Sequence, residues 1–373
     1  MNEKINIGIV GLGFGKEFIQ IYQNHPNVDK VAICTRTPET LARIGNEFHI
    51  EEALRFTSID AMIACDELDA IHIVTPIHDH APQTLKALNA GKHVACTVPM
   101  ATTIEECQAI VEASRNNKTF YMMMETAIYT REYLYVQELV KSGKLGRIQF
   151  VRGSHMQNMG LEGWPQYWLG LPPFHYGTHA IAPLSYILDK DIDTVVCHGS
   201  GRVQESLAGR YGSPFAVETC TMTFTDSDVR AETTRSLYDT VRQYRESFDI
   251  YGDKLACEWA QIEDEGSCLF EGGELARRIQ APDVLAGLPE SIQCFTKREQ
   301  IIDANHVSFI QGAGHGGSHP HLVHEFVSAI TEGREPAVGA VRAANITCAG
   351  ICAHESAMKD GQRISLPDFT RRK

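Results

Sequence analysis

The chain has 373 residues, is 43% hydrophobic and carries a formal net charge of −13, with 11 cysteines. Such a length and apolar content support a large core in two domains, and an acidic chain without a basic run opposes binding to a nucleic-acid backbone or an acidic membrane surface. No stretch approaches the roughly 18 apolar residues of a membrane span and no leader pattern opens the chain, while an odd cysteine count without a C-x-x-C pair fits reduced thiols; a cytoplasmic protein is expected.

The first apolar strand, carried by Ile5, Ile7, Ile9 and Val10, runs into a glycine turn, Gly11-Leu12-Gly13-Phe14-Gly15-Lys16, and then a helix. That is how a dinucleotide-binding unit begins: Gly11 permits the tight turn, and Gly13 lets backbone N–H groups approach a pyrophosphate at the helix N-terminus. The third glycine is displaced, because Lys16 stands where G-x-G-x-x-G has its last glycine. A strand over 28–34 ends in Thr35-Arg36 with no carboxylate. An acidic residue there would hold the ribose of NAD, so Arg36 tilts the choice between NAD and NADP toward NADP.

Helix and strand then alternate: a helix over 38–48, a strand at 55–56, and a strand over 69–75 closing in Thr75-Pro76 with His78 and His80 just beyond. A helix over 81–90, a strand over 92–96 and Thr97-Val98-Pro99 follow, then a helix over 104–116, a strand over 119–124 and Glu125. Strands separated by helical segments of this length predict a parallel, doubly wound α/β sheet with ligand sites at its carboxyl ends. Gly11, Gly13, Phe14, Gly15, Lys16, Thr35, Arg36, Thr75, Pro76, His78, His80, Thr97, Val98, Pro99 and Glu125 form the expected cofactor set.

The glycine turn, Thr75-Pro76-x-x-x-His80, Ala90-Gly91-Lys92-His93-Val94, Pro99, Lys144-Leu145-Gly146 and His175-Tyr176-Gly177-Thr178-His179 occur in an order that resembles the Gfo/Idh/MocA oxidoreductases, the family of glucose–fructose oxidoreductase and inositol dehydrogenase. The resemblance extends to the closing helix over 322–331 before Gly333-Arg334-Glu335-Pro336. It implies an N-terminal Rossmann domain, residues 1–124, and a C-terminal α+β domain, residues 125–373, with a large, mostly antiparallel sheet and last helices over 319–360 packing back on the Rossmann domain. It also implies a homodimer or homotetramer formed through that sheet.

Two departures bear on chemistry. The family's Glu-Lys-Pro reads Thr97-Val98-Pro99, and its Asp-x-x-x-His reads His175-x-x-x-His179. Valine cannot carry a proton, so His179, with His175 and Tyr176 as its titratable neighbours, is the expected catalytic group. Met124-Glu125 through Tyr129, Arg131 and Glu132, with Thr97-Val98-Pro99, is similar to a subgroup of NAD-dependent glycosidases that also lacks the lysine. There the resemblance implies transient oxidation at carbon 3 of the sugar, elimination of the aglycone and return of the hydride.

Beyond Gly146, a strand over 147–156 contains His155, and an aromatic loop brings Trp164 and Trp168, suited either to stack on a pyranose or to pack beneath the loop. Segments 195–203, 216–225, 229–238 and 246–251 alternate as strands, 272–300 reads as irregular, and His315, His319, His321 and His324 crowd one stretch. That spacing fits no zinc pattern and Ser318 and Pro320 suit a helix start, so no metal is expected. Tyr129, Arg131, His155, Trp164, Trp168, His315 and His319 are the expected substrate contacts. The function expected is NAD(P)-dependent oxidation of a hydroxyl-bearing ring carbon in a carbohydrate; the alternatives are the redox-neutral glycosidase or lyase and a non-catalytic cofactor-binding regulator.

Overall fold

The computed structural model describes residues 4–242, 244–262, 265–272, 276–297, 300–302 and 310–371. Strands β1 (Ile5–Val10), β2 (Val28–Cys34), β3 (Arg55–Phe56), β4 (Ala70–Ile73), β5 (His93–Cys96) and β6 (Tyr121–Met123) form one sheet in the order β3-β2-β1-β4-β5-β6. Every neighbouring pair is parallel. Helices α1 (Leu12–Asn24), α2 (Pro38–Glu47), α3 (Ile59–Ile63), α4 (Ile77–Asn89) and α5 (Ile104–Asn117) connect them. All four residues of β4 are buried, as a strand covered on both faces requires. The strand order reverses between β1 and β4, which puts the ligand crevice at Val10 and Ile73, paired across the register.

Helix α4 starts at Ile77, earlier than the expected 81, so His78 and His80 belong to a helix and not to a loop. Pro76, extended at φ −56° and ψ 144°, ends the incoming chain and serves as its N-cap, which makes Pro82 an interior residue of the helix instead of one in its first turn.

Helix α6 (Arg131–Lys141) leads to β7 (Ile148–Gln157), and α7 (Thr178–Leu188) to β8 (Ile192–Ser200), β9 (Val217–Phe224), β10 (Arg230–Ser236), β11 (Tyr244–Gly252), β12 (Ala256–Glu258), β13 (Ser267–Phe270) and β14 (Ala276–Ile279). Next come α8 (Glu290–Gln293), β15 (Gln300–Ile302), β16 (Ile310–Gly312), α9 (Ala313–Gly317), α10 (His319–Glu332), α11 (Ala340–Met358) and β17 (Ile364–Ser365). The second sheet runs β14-β13-β12-β11-β7-β10-β9-β8-β17 and is antiparallel except where β7 meets β10. The segment expected to be irregular, 272–300, contributes edge strand β14 and helix α8; its residues 273–275 and 298–299 lie outside the described residues.

Burial alternates along the central strands, with Val151, Gly153, His155 and Gln157 of β7 facing inward. Gly153 is where α7 rests on the sheet: a Cβ there would lie 2.2 Å from the Ala180 carbonyl oxygen. That close approach sets His179, the preceding residue, over the middle of the sheet. Helix α10 packs on α1, and α11 packs on α5 and β8. Cys348 and Cys352 of α11 are buried free thiols, and among the described residues no helix is long and apolar enough to cross a membrane.

Candidate functional site

Two sets of residues meet near the carboxyl ends of the parallel strands. In the first, Gly11 caps α1 at φ 92°, and a Cβ on it would fall 2.3 Å from the Val74 carbonyl oxygen. Only glycine fits a left-handed residue at that distance from backbone. Gly15 does the packing work of the displaced third glycine, since a Cβ there would reach Ile9 Cγ2 at 3.0 Å. A Cβ on Gly13 would meet nothing within 4 Å, and the first turn of α1 holds no acidic residue. The turn therefore fits an anionic pyrophosphate, drawn by the unpaired N–H groups of the helix start. Lys16 and Arg36 are exposed beside it.

Around this turn the strand ends are tied together. His80, 1% exposed, lies between the carbonyl oxygens of Pro99 and Thr75, 2.8 Å from each, with Thr97 Oγ1 3.3 Å from Nε2. Burial lowers its pKa against the pull of those carbonyls. His80 thus braces β4 against β5. Thr75 donates its hydroxyl to Gln83 Oε1 at 2.8 Å, His78 stands edge-on to Tyr167 at 6.3 Å, and Val98 is buried next to Pro99.

The second set is a row across the larger sheet. The register aligns Glu218 of β9 with Arg235 of β10, Arg235 with His155 of β7, and His155 with Glu246 of β11. His155 Nε2 lies 3.9 Å from Glu246 Oε1, and Tyr244 donates its hydroxyl to the same oxygen at 2.5 Å. Arg235 is fully buried and donates to the carbonyls of Tyr176 and His155 and to Gln157 Oε1, at 2.7, 3.0 and 2.8 Å. Its guanidinium also lies over the Tyr176 ring, 5.3 Å from the centroid.

His179 hangs over this row from α7. Its Nδ1 is 2.6 Å from Glu125 Oε1, and Glu125, wholly buried, accepts from the Ala127 N–H through the same oxygen. The rings of His155, Tyr176 and His315 surround it at 5.1, 5.4 and 6.3 Å. Burial disfavours a charged His179, but Glu125 and Glu246 outweigh it and its pKa is raised. His155 shifts the other way, well below the ordinary range, through burial first and then Arg235 and His179. Burial raises the Tyr176 phenol.

Several expected residues go elsewhere. His175 does not join His179: a 3-10 turn over Pro173–Tyr176 gives way at Gly177 to α7, so the i,i+4 spacing does not put the two on one helix face. His175 stands edge-on to His354 at 5.3 Å, and His354 Nδ1 lies 2.6 Å from Glu218 Oε1. Arg131, 5% exposed, is not available to a sugar; it donates to Asp283 Oδ1 and to the Thr296 carbonyl, both at 2.8 Å, pinning that segment to α6. His319 packs its ring on Phe18 at 4.5 Å and lies 3.7 Å from Glu17, so it serves the junction with α1. Glu125, expected at the cofactor, is turned onto His179. Tyr129 stacks on His321 at 6.2 Å. Trp168 is buried 4.8 Å from Tyr176, and Trp164 meets it edge-on at 6.4 Å.

Arg235, Tyr244 and Glu246 escaped the sequence reading. For Arg235 the signal was a charge at an inward position of an alternating strand, since it follows Ala231 and Thr233 on the buried face of β10.

Residues 5–125 match the model of an oxidoreductase family with an NAD-binding Rossmann fold, and residues 133–257 match the GFO/IDH/MocA C-terminal domain. A glycosyl hydrolase family 109 protein of Bacteroides fragilis is 27% identical over 201 residues, 50% of this chain and 43% of that protein. The chain thus spans less than half the length of that curated relative. Among solved structures, levoglucosan dehydrogenase in complex with NADH and levoglucosan superposes with a TM-score of 0.78 at 19% identity, covering 98% of this chain and all of that one. Scyllo-inositol dehydrogenase from Lactobacillus casei with NAD(H) and scyllo-inositol gives 0.72 at 21% identity, covering 97% and 99%.

Proposed function

The chain belongs to the Gfo/Idh/MocA oxidoreductase family, and from that premise we propose that it oxidises a hydroxyl-bearing ring carbon of a sugar or sugar derivative with a nicotinamide dinucleotide. The observation that carries this reading is the His179–Glu125 pair, 2.6 Å apart and buried beside a glycine turn that fits a pyrophosphate. Residues 1–124 bind the cofactor and residues 125–373 supply the sugar pocket. When bound, the nicotinamide accepts the hydride.

His179 Nε2 takes the hydroxyl proton. Glu125 positions the ring by holding Nδ1 and favours the imidazolium that forms. Val98 leaves no lysine to share that work. Tyr176 and His155 flank the reacting hydroxyl, Arg235 keeps both backbones in place, and Trp164 offers an aromatic face to the ring. Exposed Arg36, with no carboxylate beside it, admits the 2′-phosphate of NADP. The free state of all eleven cysteines suits a cytoplasmic setting, and the face of the larger sheet that bears exposed Thr219 and Thr221 is the contact of a homo-oligomer.

A redox-neutral glycosidase shares this first step. It is favoured by the likeness to the glycosyl hydrolase family 109 protein. Incubating the cofactor-loaded protein with free sugars and aryl glycosides separates the two: reduced cofactor that accumulates with turnover marks a dehydrogenase, and aglycone release without it marks the glycosidase. No cofactor reduction and no aglycone release on any member would overturn both.

A further inference from the structure

Of the histidines between 315 and 324, His315 and His319 stay together at 3.1 Å between ring nitrogens, whereas His321 goes to Tyr129 and His324 to His25, so the four do not converge. Another set converges instead. His155 on β7, His179 on α7 and Glu246 on β11 each present a ligand atom, and these atoms lie within 4.8 Å of one another. We propose that the three form a binding site for a divalent transition-metal ion of the zinc or cobalt type, and that the ion competes with the sugar hydroxyl for His179 Nε2.

Two imidazoles and one carboxylate are the protein ligands of an open zinc site, and nitrogen-rich donors select this class of ion over magnesium or calcium. Around a tetrahedral ion with bonds of about 2.1 Å, ligand atoms stand about 3.4 Å apart. His155 Nε2 and Glu246 Oε1, at 3.9 Å, are already near that spacing. His179 is prepared in the way metal-bound histidines are: Nδ1 is held by the Glu125 carboxylate, which orients the ring and leaves Nε2 for the ion.

An independent observation points to a ligand. His155 is 1% exposed, yet among the described residues neither of its ring nitrogens has a hydrogen-bond partner. A buried polar group left without partners is costly, and a cation between His155, His179 and Glu246 supplies a partner to one of the two nitrogens, Nε2. Glu125 and Glu246 also bring two carboxylates to this cluster, where buried Arg235 spends its N–H groups on carbonyl and amide oxygens.

Competition rests on the proposed oxidation, whereas binding does not. The lone pair that receives the hydroxyl proton is the one an ion would occupy, so the metal-loaded form cannot begin the reaction.

The test is a cobalt(II) titration of the 373-residue protein, stripped with a chelator and loaded with NAD, read by the visible ligand-field absorption. One saturable site is expected. Glu125→Gln should weaken binding about 10–100-fold, as loss of a carboxylate behind a ligand does, and His155→Ala and Glu246→Gln at least as much. Circular dichroism checks the fold, and His155→Gln replaces the alanine variant if that one unfolds. The absence of a saturable spectrum, or unchanged affinity in the His155 and Glu246 variants, overturns the site. With an accepted sugar, zinc should inhibit competitively and a chelator should lift the inhibition; stimulation by zinc would overturn the competition. A protein that binds cobalt but oxidises nothing refutes the oxidation reading alone, and one that oxidises sugar without binding cobalt refutes the metal site alone.

Discussion

The glycine turn and the His179 cluster are neighbours built in opposite ways. His315 touches both, its ring 5.6 Å from Phe14 and 6.3 Å from His179. The turn is made of consecutive residues and works through backbone, so its side chains matter mainly where they would intrude. The cluster draws Glu125, His155, His179, Arg235 and Glu246 from separate elements and works through side-chain atoms. On the proposed reading, loss of one such atom should remove chemistry while leaving the fold, whereas an added atom in the turn should disturb the fold and cofactor binding together.

The sharpest break in that comparison is His179→Ala. It should slow sugar oxidation by ~10²–10⁴-fold, the range of a well-placed general base, with cofactor affinity unchanged by titration calorimetry. Val98→Lys should not restore the rate in that background, because a buried ammonium there lacks the family's aspartate, replaced here by His175. In the turn, Gly11→Ala forces a Cβ to within 2.3 Å of the Val74 carbonyl oxygen at φ 92°. Strain of about 1–3 kcal/mol is expected from such a conformation, visible as a lower melting temperature together with weaker NAD binding.

A smaller effect belongs to a histidine that joins two helices. His25 Nε2 lies 3.0 Å from His324 Nδ1 where the end of α1 meets α10, and burial, then His324, lowers the pKa of His25 to about 4. The folded state keeps this ring neutral, so its contribution is complete above pH 6.5 and is lost as pH falls toward about 4. Melting temperature should decline across that window, and His25→Asn should flatten part of the decline. The smallest change belongs to Arg36→Ala. An exposed charge pair contributes up to about 1 kcal/mol, so NADP affinity should fall severalfold with NAD affinity unaltered; equal loss for both would remove Arg36 from the phosphate.

The first half of the chain was legible because its signals are local. Glycine spacing, apolar strands and helices of similar length suffice to order a parallel sheet, and β2 and the start of α5 fall where the pattern put them. The cluster was legible through Tyr176 and His179, which share a motif, and in part through His155, expected as a substrate contact, and Glu125, expected at the cofactor instead. Glu246 lies in a strand far along the chain, and nothing near it announces that the register will align it with His155. Proximity in sequence even misled: His175 sits four residues from His179 and faces His354, while His319 packs on α1 and Arg131 ties Asp283 and Thr296 to α6. What decides these outcomes is the break at Gly177, the packing of α7 on Gly153 and the register of three strands, all of them tertiary.

The claim that His179, poised by Glu125, accepts the hydroxyl proton is tested most directly by the pH dependence of the first hydride transfer, followed as cofactor reduction in protein freed of divalent ions. The raised pKa of His179 predicts a rate that climbs with pH through an apparent pKa above 6.5. In Glu125→Gln the apparent pKa should drop and the high-pH rate should fall, because the ring loses both its charge partner and its orientation. A Glu125→Gln profile that overlays the parent in midpoint and plateau would contradict the account.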